Sequence, residues 1–130
     1  MLSEIAYFPI LGKPLVLYMG ITTLLLFIIT ASMGLMIFRG VRIPFKFHPM
    51  MAGISITVGI VHGILGVSTG RSFVILLGIT TIFLFIITAS LGLLIFKGKS
   101  IPFKIHPTMA SLGIITGIIH GSVGISIYLL

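Results

Sequence analysis

Four long apolar runs leave this chain almost no choice of fold. They cover about residues 14–38, 48–67, 72–96 and 106–130 of a 130-residue sequence, and each reaches the roughly 20 apolar residues that carry a helix across a bilayer. Lipid cannot satisfy open backbone groups, and no run alternates with the period of a barrel strand, so every span is expected to be α-helical. Only 7 % of the residues are charged, against about a quarter in a soluble domain. Too little chain lies between the runs for a soluble catalytic domain or a nucleotide fold. The expectation is an all-α, multi-pass integral membrane protein whose main partner is membrane lipid.

The four spans are two spans written twice. Shifted by 58 residues, "GITTLLLFIITASMGLMIFRG" from Gly20 meets "GITTIFLFIITASLGLLIFKG" from Gly78, and "IPFKFHP" from Ile43 meets "IPFKIHP" from Ile101. Over Gly20–Gly66 and Gly78–Gly124, 30 of 47 aligned positions are identical. Glycine, proline, lysine, serine and histidine coincide as well as the aliphatic residues, so shared lipid composition is not the cause. Because each copy holds two spans, both copies run the same way through the membrane. This predicts a four-helix bundle of two tandem parallel two-helix repeats, 14–67 and 72–125, about an axis along the membrane normal. Pro49 and Pro107, each directly after a histidine, are expected to bend the chain where the second span of each copy begins.

The net charge of +7 would suggest nucleic acid for a soluble protein. In a membrane protein it is a topology signal, since cations collect in cytoplasmic loops. Arg39, Arg42 and Lys46 separate the first two spans, and Lys97, Lys99 and Lys104 the last two; the other side has Lys13 and Arg71, with the one carboxylate, Glu4. This places both basic loops inside and both termini outside, with the plasma membrane as the expected location and no nucleic-acid partner. The first fourteen residues lack the basic start and small-residue cleavage site of a signal peptide, so the first span is expected to be retained. Phe38, Phe45, Phe47, Phe96 and Phe103 gather near the basic loops and read as an interfacial aromatic belt.

The chain has four histidines, and all fall in the second and fourth spans: His48 and His62, His106 and His120. Fourteen residues separate the members of each couple, which at 100° per residue is only about 40° short of four turns. Both rings therefore leave nearly the same helix face, roughly 21 Å apart along the axis. Paired by depth, His48 meets His106 near the basic loops and His62 meets His120 near the opposite side. Imidazole inside a membrane is costly without a partner and marks function by default. Two histidines per level fall short of the three or four ligands of a zinc site, but they suit the two axial positions of a haem iron. No cysteine is present, which excludes disulfides, thiolate sites and C-x-x-C-H haem attachment. The expected cofactors are two non-covalent haem b groups, one ligated by His48 and His106 and one by His62 and His120.

A porphyrin between the second and fourth helices pushes its edges toward the first and third, which then need a missing side chain at each level. Gly20 and Gly34 lie on the first span and Gly78 and Gly92 on the third, again fourteen apart. Haem propionates are anionic, so Arg39, Arg42, Lys46, Lys97, Lys99 and Lys104 are the candidate propionate contacts of the haem near the basic loops, and Arg71 and Lys13 those of the other haem. Histidines fourteen apart on helices two and four, with glycines fourteen apart on helices one and three, resemble the haem-binding bundle of cytochrome b of quinol–cytochrome c reductases. The resemblance covers about Gly20 to Gly124 and implies the four histidines as axial ligands and the four glycines at haem edges. The sequence lacks that family's further helices and its Pro-Glu-Trp-Tyr segment, and the charge count puts the first histidine of each couple on the inside, opposite to that family. Quinol oxidation of the Q-cycle type is therefore not implied.

Stacked haems make an electron wire, so the leading expectation is transmembrane electron transfer as the cytochrome subunit of a larger redox complex. Redox protein partners and quinone are the expected exchange partners. A self-contained membrane oxidoreductase acting on quinone, superoxide or ferric iron is the alternative, with a small four-helix transporter or a structural subunit behind it. Helix-borne Thr30, Ser32, Thr88 and Ser90 are expected either to touch the histidines or to bond their own helix backbone.

Overall fold

Proline and glycine place the helix ends where the sequence expects them. In the computed structural model, which describes residues 1–129, the spans are α2 (Leu15–Phe38), α3 (Phe47–Val67), α4 (Ser72–Phe96) and α5 (Ile105–Leu129). Leu130, the last residue of the expected fourth span, lies outside the described residues. A short helix α1 (Leu2–Ala6) and an antiparallel hairpin of β1 (Pro9–Ile10) and β2 (Lys13–Pro14) precede them. Pro49 and Pro107 fall in the first turns of α3 and α5, where no intrahelical carbonyl awaits an N–H. They mark the starts of these helices and break no hydrogen bond within them.

The ends of α2 and α4 share one device. Gly40 (φ +81°) and Gly98 (φ +73°) adopt the left-handed conformation. Gly40 N–H reaches the Ile37 carbonyl at 3.0 Å and Val41 N–H the Met36 carbonyl at 3.0 Å; Gly98 and Lys99 repeat the pair on Ile95 and Leu94 at 2.9 and 3.1 Å. These are Schellman caps, which need a residue without a Cβ penalty at the turn. Each cap swings the chain into a basic loop.

The four spans close into a bundle: α2 packs mainly on α3, α4 on α5, and narrower α3–α4 and α2–α5 seams join the halves. The bundle is apolar on its outside, as a lipid solvent demands. Leu76 is 62 % exposed and Phe83 60 %, positions costly in water but suited to acyl chains. The buried residues include Thr23, Thr30, Ser55, Thr81 and Thr88. The threonine hydroxyls donate to carbonyls four residues back, for example Thr23 to Met19 at 2.7 Å and Thr88 to Leu84 at 2.7 Å, while the Ser55 hydroxyl has both the Met51 carbonyl and the Thr30 oxygen within hydrogen-bond reach. Small hydroxyl residues let helices approach closely without leaving a polar atom unpaired. Near the middle of the bundle Phe27 and Phe85 stack face to face, with ring centroids 3.6 Å apart and planes 3° from parallel. Phe85 lies against Gly113, whose added Cβ would stand 3.1 Å from the ring.

The corresponding position of the first copy is Ser55, not glycine. Its hydroxyl lies 3.0 Å from that of Thr30 and ties α3 to α2 where α5 instead receives Phe85.

Candidate haem sites

At one end of the bundle the two basic loops meet. Phe38 of the first copy stacks on Phe103 of the second at 5.4 Å, and Phe45 stacks on Phe96 at 5.3 Å, each pair 14° from parallel. The expected aromatic belt thus takes the form of two crossed stacks, with Lys46 over the Phe47 ring at 5.7 Å. Arg39, Arg42, Lys46, Lys97, Lys99 and Lys104 are all exposed around these stacks. Among the described residues the one ion pair is between the N-terminal amine and Glu4, at 3.0 Å, so the loop cations have no carboxylate to neutralise them.

Just inside this loop end, α3 and α5 bring His48 and His106 together with ring centroids 6.1 Å apart. At the terminal end, His62 and His120 face each other with centroids 5.8 Å apart and their Nε2 atoms 3.4 Å apart. The four rings are therefore paired by depth, one from each copy at each level. Among the described residues no three or more histidine, cysteine or acidic side chains converge. Each level supplies two neighbouring imidazoles, with the Nε2 atoms facing each other at the terminal end. Metal–imidazole bonds of about 2 Å on opposite faces of one centre would put ring centroids roughly 6 Å apart and ligating nitrogens about 4 Å apart. Both centroid spacings match this arrangement. The 3.4 Å contact would need to widen by about 0.6 Å.

The four glycines lie against these rings. A Cβ on Gly34 would stand 2.9 Å from His48 Cε1, and one on Gly92 2.9 Å from His106 Cε1; at Gly20 and Gly78 the Cε1 atoms of His62 and His120 would be 3.0 and 3.1 Å away. Glycine thus supplies a seat for the imidazole. Other glycines behave differently: Gly53, Gly63, Gly66 and Gly124 have nothing within 4 Å of such a Cβ.

The seat also exposes a backbone acceptor. Side chains on a helix cover the turn that precedes them, so a missing side chain at position i bares the carbonyl at i−4. His48 Nδ1 donates to the Thr30 carbonyl at 3.0 Å, and His106 Nδ1 to the Thr88 carbonyl at 2.9 Å. Thr30 and Thr88 stand four residues before Gly34 and Gly92. A carbonyl only accepts, so Nδ1 of the neutral ring carries the proton and the Nε2 lone pair is left free. That is the tautomer a metal requires. The expected partners of the histidines are thus present as backbone groups. The Thr30 and Thr88 hydroxyls bond their own helix, at 2.8 and 2.7 Å, and Ser90 does the same on an exposed face.

At the terminal end the same plan is present but not closed. His62 and His120 are turned toward the carbonyls of Val16 and Val74, four residues before Gly20 and Gly78. Neither Nδ1 makes a hydrogen bond of proper geometry, and both atoms are buried without a partner. One ring instead donates to the other through Nε2. Buried unpaired nitrogens are costly. With a metal between them the Nε2 atoms would no longer share a proton, and each Nδ1–H would be free to meet its carbonyl.

A cavity of about 440 Å³ opens around this pair, lined by His62, His120, Gly20 and Gly78 and extending toward Arg71 and Tyr128. Its volume falls within the roughly 300–1,000 Å³ of cofactor and small-molecule sites. Its wall is apolar apart from a few groups, Thr69, Arg71 and Tyr128 among them near the terminal end. Paired imidazoles, seats too small for a Cβ, orphaned Nδ1 atoms and a cavity of this size together fit a bis-imidazole haem. No family model, no curated protein and no solved structure matches the chain.

Proposed function

We propose that the chain is a transmembrane electron carrier holding two b-type haems between α3 and α5, one ligated by His48 and His106 and one by His62 and His120. The reading is carried by one observation: two levels of paired imidazoles, every ring seated on a glycine of the neighbouring helix. When bound, each haem supplies reversible one-electron chemistry between ferric and ferrous iron.

The chain's own residues do the rest. Thr30 and Thr88 carbonyls hold the His48 and His106 rings in one tautomer and orientation, which raises ligand basicity and limits reorganisation. The apolar outer surface keeps water from both levels, and burial of this kind tunes haem potentials. Lys46, Lys104 and their neighbours lie at the end where the loop-end haem would bring its propionates. In the cell membrane, with the termini outside and the basic loops inside, such a bundle passes electrons between partners on the two faces. Redox proteins at the basic face and quinone within the bilayer are the proposed exchange partners.

The test is reconstitution of the purified chain with haemin, followed by absorption and electron paramagnetic resonance. The expected spectrum is low-spin and six-coordinate at both levels. His106→Ala and His120→Ala should each convert one level and spare the other. A high-spin spectrum in the unaltered protein would refute bis-imidazole ligation.

A further inference from the structure

The two cations of the terminal end occupy equivalent places in the sequence. Lys13 lies seven residues before Gly20 and Arg71 seven before Gly78. The repeat alone gives them equal claim to any anion bound nearby.

The structure separates them. Lys13 closes the N-terminal hairpin, and its Nζ donates to the Tyr128 carbonyl at 3.0 Å. The same segment places Tyr7 edge-on to the Tyr128 ring at 6.4 Å and buries Ala6 completely against Val16 and Leu65. Lys13 therefore straps the N-terminal segment to the last helix and is not among the residues of the cavity wall. Arg71, at the start of α4, does line the cavity, with its guanidinium carbon 5.4 Å from the centre of the Tyr128 ring. A guanidinium over an aromatic ring keeps its N–H donors at its edge, where they match a carboxylate in a two-point contact.

We propose that Arg71 is the anion receptor of the terminal-end site, taking the carboxylate edge of a porphyrin held by His62 and His120, and that Lys13 is a structural strap. The proposal rests on the haem reading and adds an orientation to it: the acid edge of the cofactor points to the terminal end. An anion in a largely apolar cavity needs a charged, hydrogen-bonding partner, and Arg71 is the one cation among the wall residues.

The experiment uses the full chain carrying His106→Ala, which leaves one complete pair of histidines. It is titrated with haemin and with haemin dimethyl ester, which has the same ring and no carboxylates. A low-spin spectrum with either porphyrin reports ligation at the terminal end. Haemin is expected to bind about tenfold more tightly than the ester, in line with a charge-assisted hydrogen bond. Arg71→Gln should erase that preference by weakening haemin alone, Arg71→Lys should keep part of it, and Lys13→Gln should leave it intact. A preference that survives Arg71→Gln overturns the proposal, as does its loss in Lys13→Gln. Equal loss of both porphyrins in Arg71→Gln makes the residue structural and also overturns it. If neither porphyrin gives a low-spin spectrum in the parent, the haem reading itself fails, a result separate from the others.

Discussion

Gly34→Ala asks the sharpest question of the imidazole seats, because helix propensity and site geometry predict opposite effects. In an exposed helix, alanine replaces glycine with a gain of up to about 1 kcal/mol. Here the new Cβ would stand 2.9 Å from His48 Cε1 and 3.3 Å from Nδ1. Comfortable carbon contacts begin at about 3.5 Å, so the ring must withdraw by roughly 0.6 Å. Its shortest escape is rotation away from α2, which stretches the 3.0 Å bond from Nδ1 to the Thr30 carbonyl past the limit of a hydrogen bond. Loss of such an outer contact lowers affinity at a metal site by about 10- to 100-fold. Without haem the lost hydrogen bond, worth about 1 kcal/mol, offsets the helix-propensity gain, so the variant should be close to the parent in thermal stability, yet bind its loop-end haem about 10- to 100-fold more weakly. Haemin titration followed by absorption measures the affinity, and thermal unfolding in detergent measures the stability. Gly53→Ala is the control, since nothing lies within 4 Å of its added Cβ. Full haem affinity in Gly34→Ala, or equal loss in Gly53→Ala, would refute the seat.

Three further outcomes follow from the same geometry. Thr30→Ala and Ser55→Ala each break the 3.0 Å hydroxyl contact between α2 and α3 and should cost about 1 kcal/mol of stability, measured by unfolding in detergent. Both should retain two haems, because the His48 partner is the backbone of Thr30. Phe27→Ala removes one face of the central stack; at the cost of a large-to-small core change, about 3 kcal/mol or more, it should lower the midpoint of thermal unfolding far more than Phe73→Ala, whose ring is 65 % exposed to the lipid side. Gly20→Leu should abolish the terminal-end haem while sparing the loop-end one, since a side chain there would meet His62 from 3.0 Å onward; electron paramagnetic resonance distinguishes the two losses.

Much of this arrangement can be read before any coordinates. The spans agree with expectation to within a residue or so because bilayer thickness and backbone satisfaction leave few alternatives, and the fourteen-residue spacing fixes which helix face the histidines share. The pairing His48 with His106 and His62 with His120 follows from α3 and α5 running in the same direction, each starting at a basic loop. What lay beyond reach depends on groups with no letter of their own. The carbonyls of Thr30 and Thr88 belong to the backbone, and the clue to them was the position four residues before each glycine. The same glycines were expected at haem edges and are found against the imidazoles, a contact that spacing alone does not distinguish. The N-terminal helix and hairpin were unforeseen: fourteen residues of weak propensity take their shape from Tyr128 and Leu65, far away in sequence. Likewise Lys13 and Arg71 are twins by spacing, and the N-terminal segment, which has no counterpart before the second copy, sets them apart. The Phe85 side of the central stack lies against Gly113, where the first copy has Ser55, a difference whose role spacing does not reveal.

The central claim is that the two histidine levels each hold one iron porphyrin, and the ratio of haem to protein tests it most directly. The pyridine haemochrome of purified, haemin-reconstituted chain, set against amino-acid quantitation, should give two haem b per chain, falling to one in His120→Ala. Colourless protein, or a ratio indifferent to His120→Ala, would contradict the account.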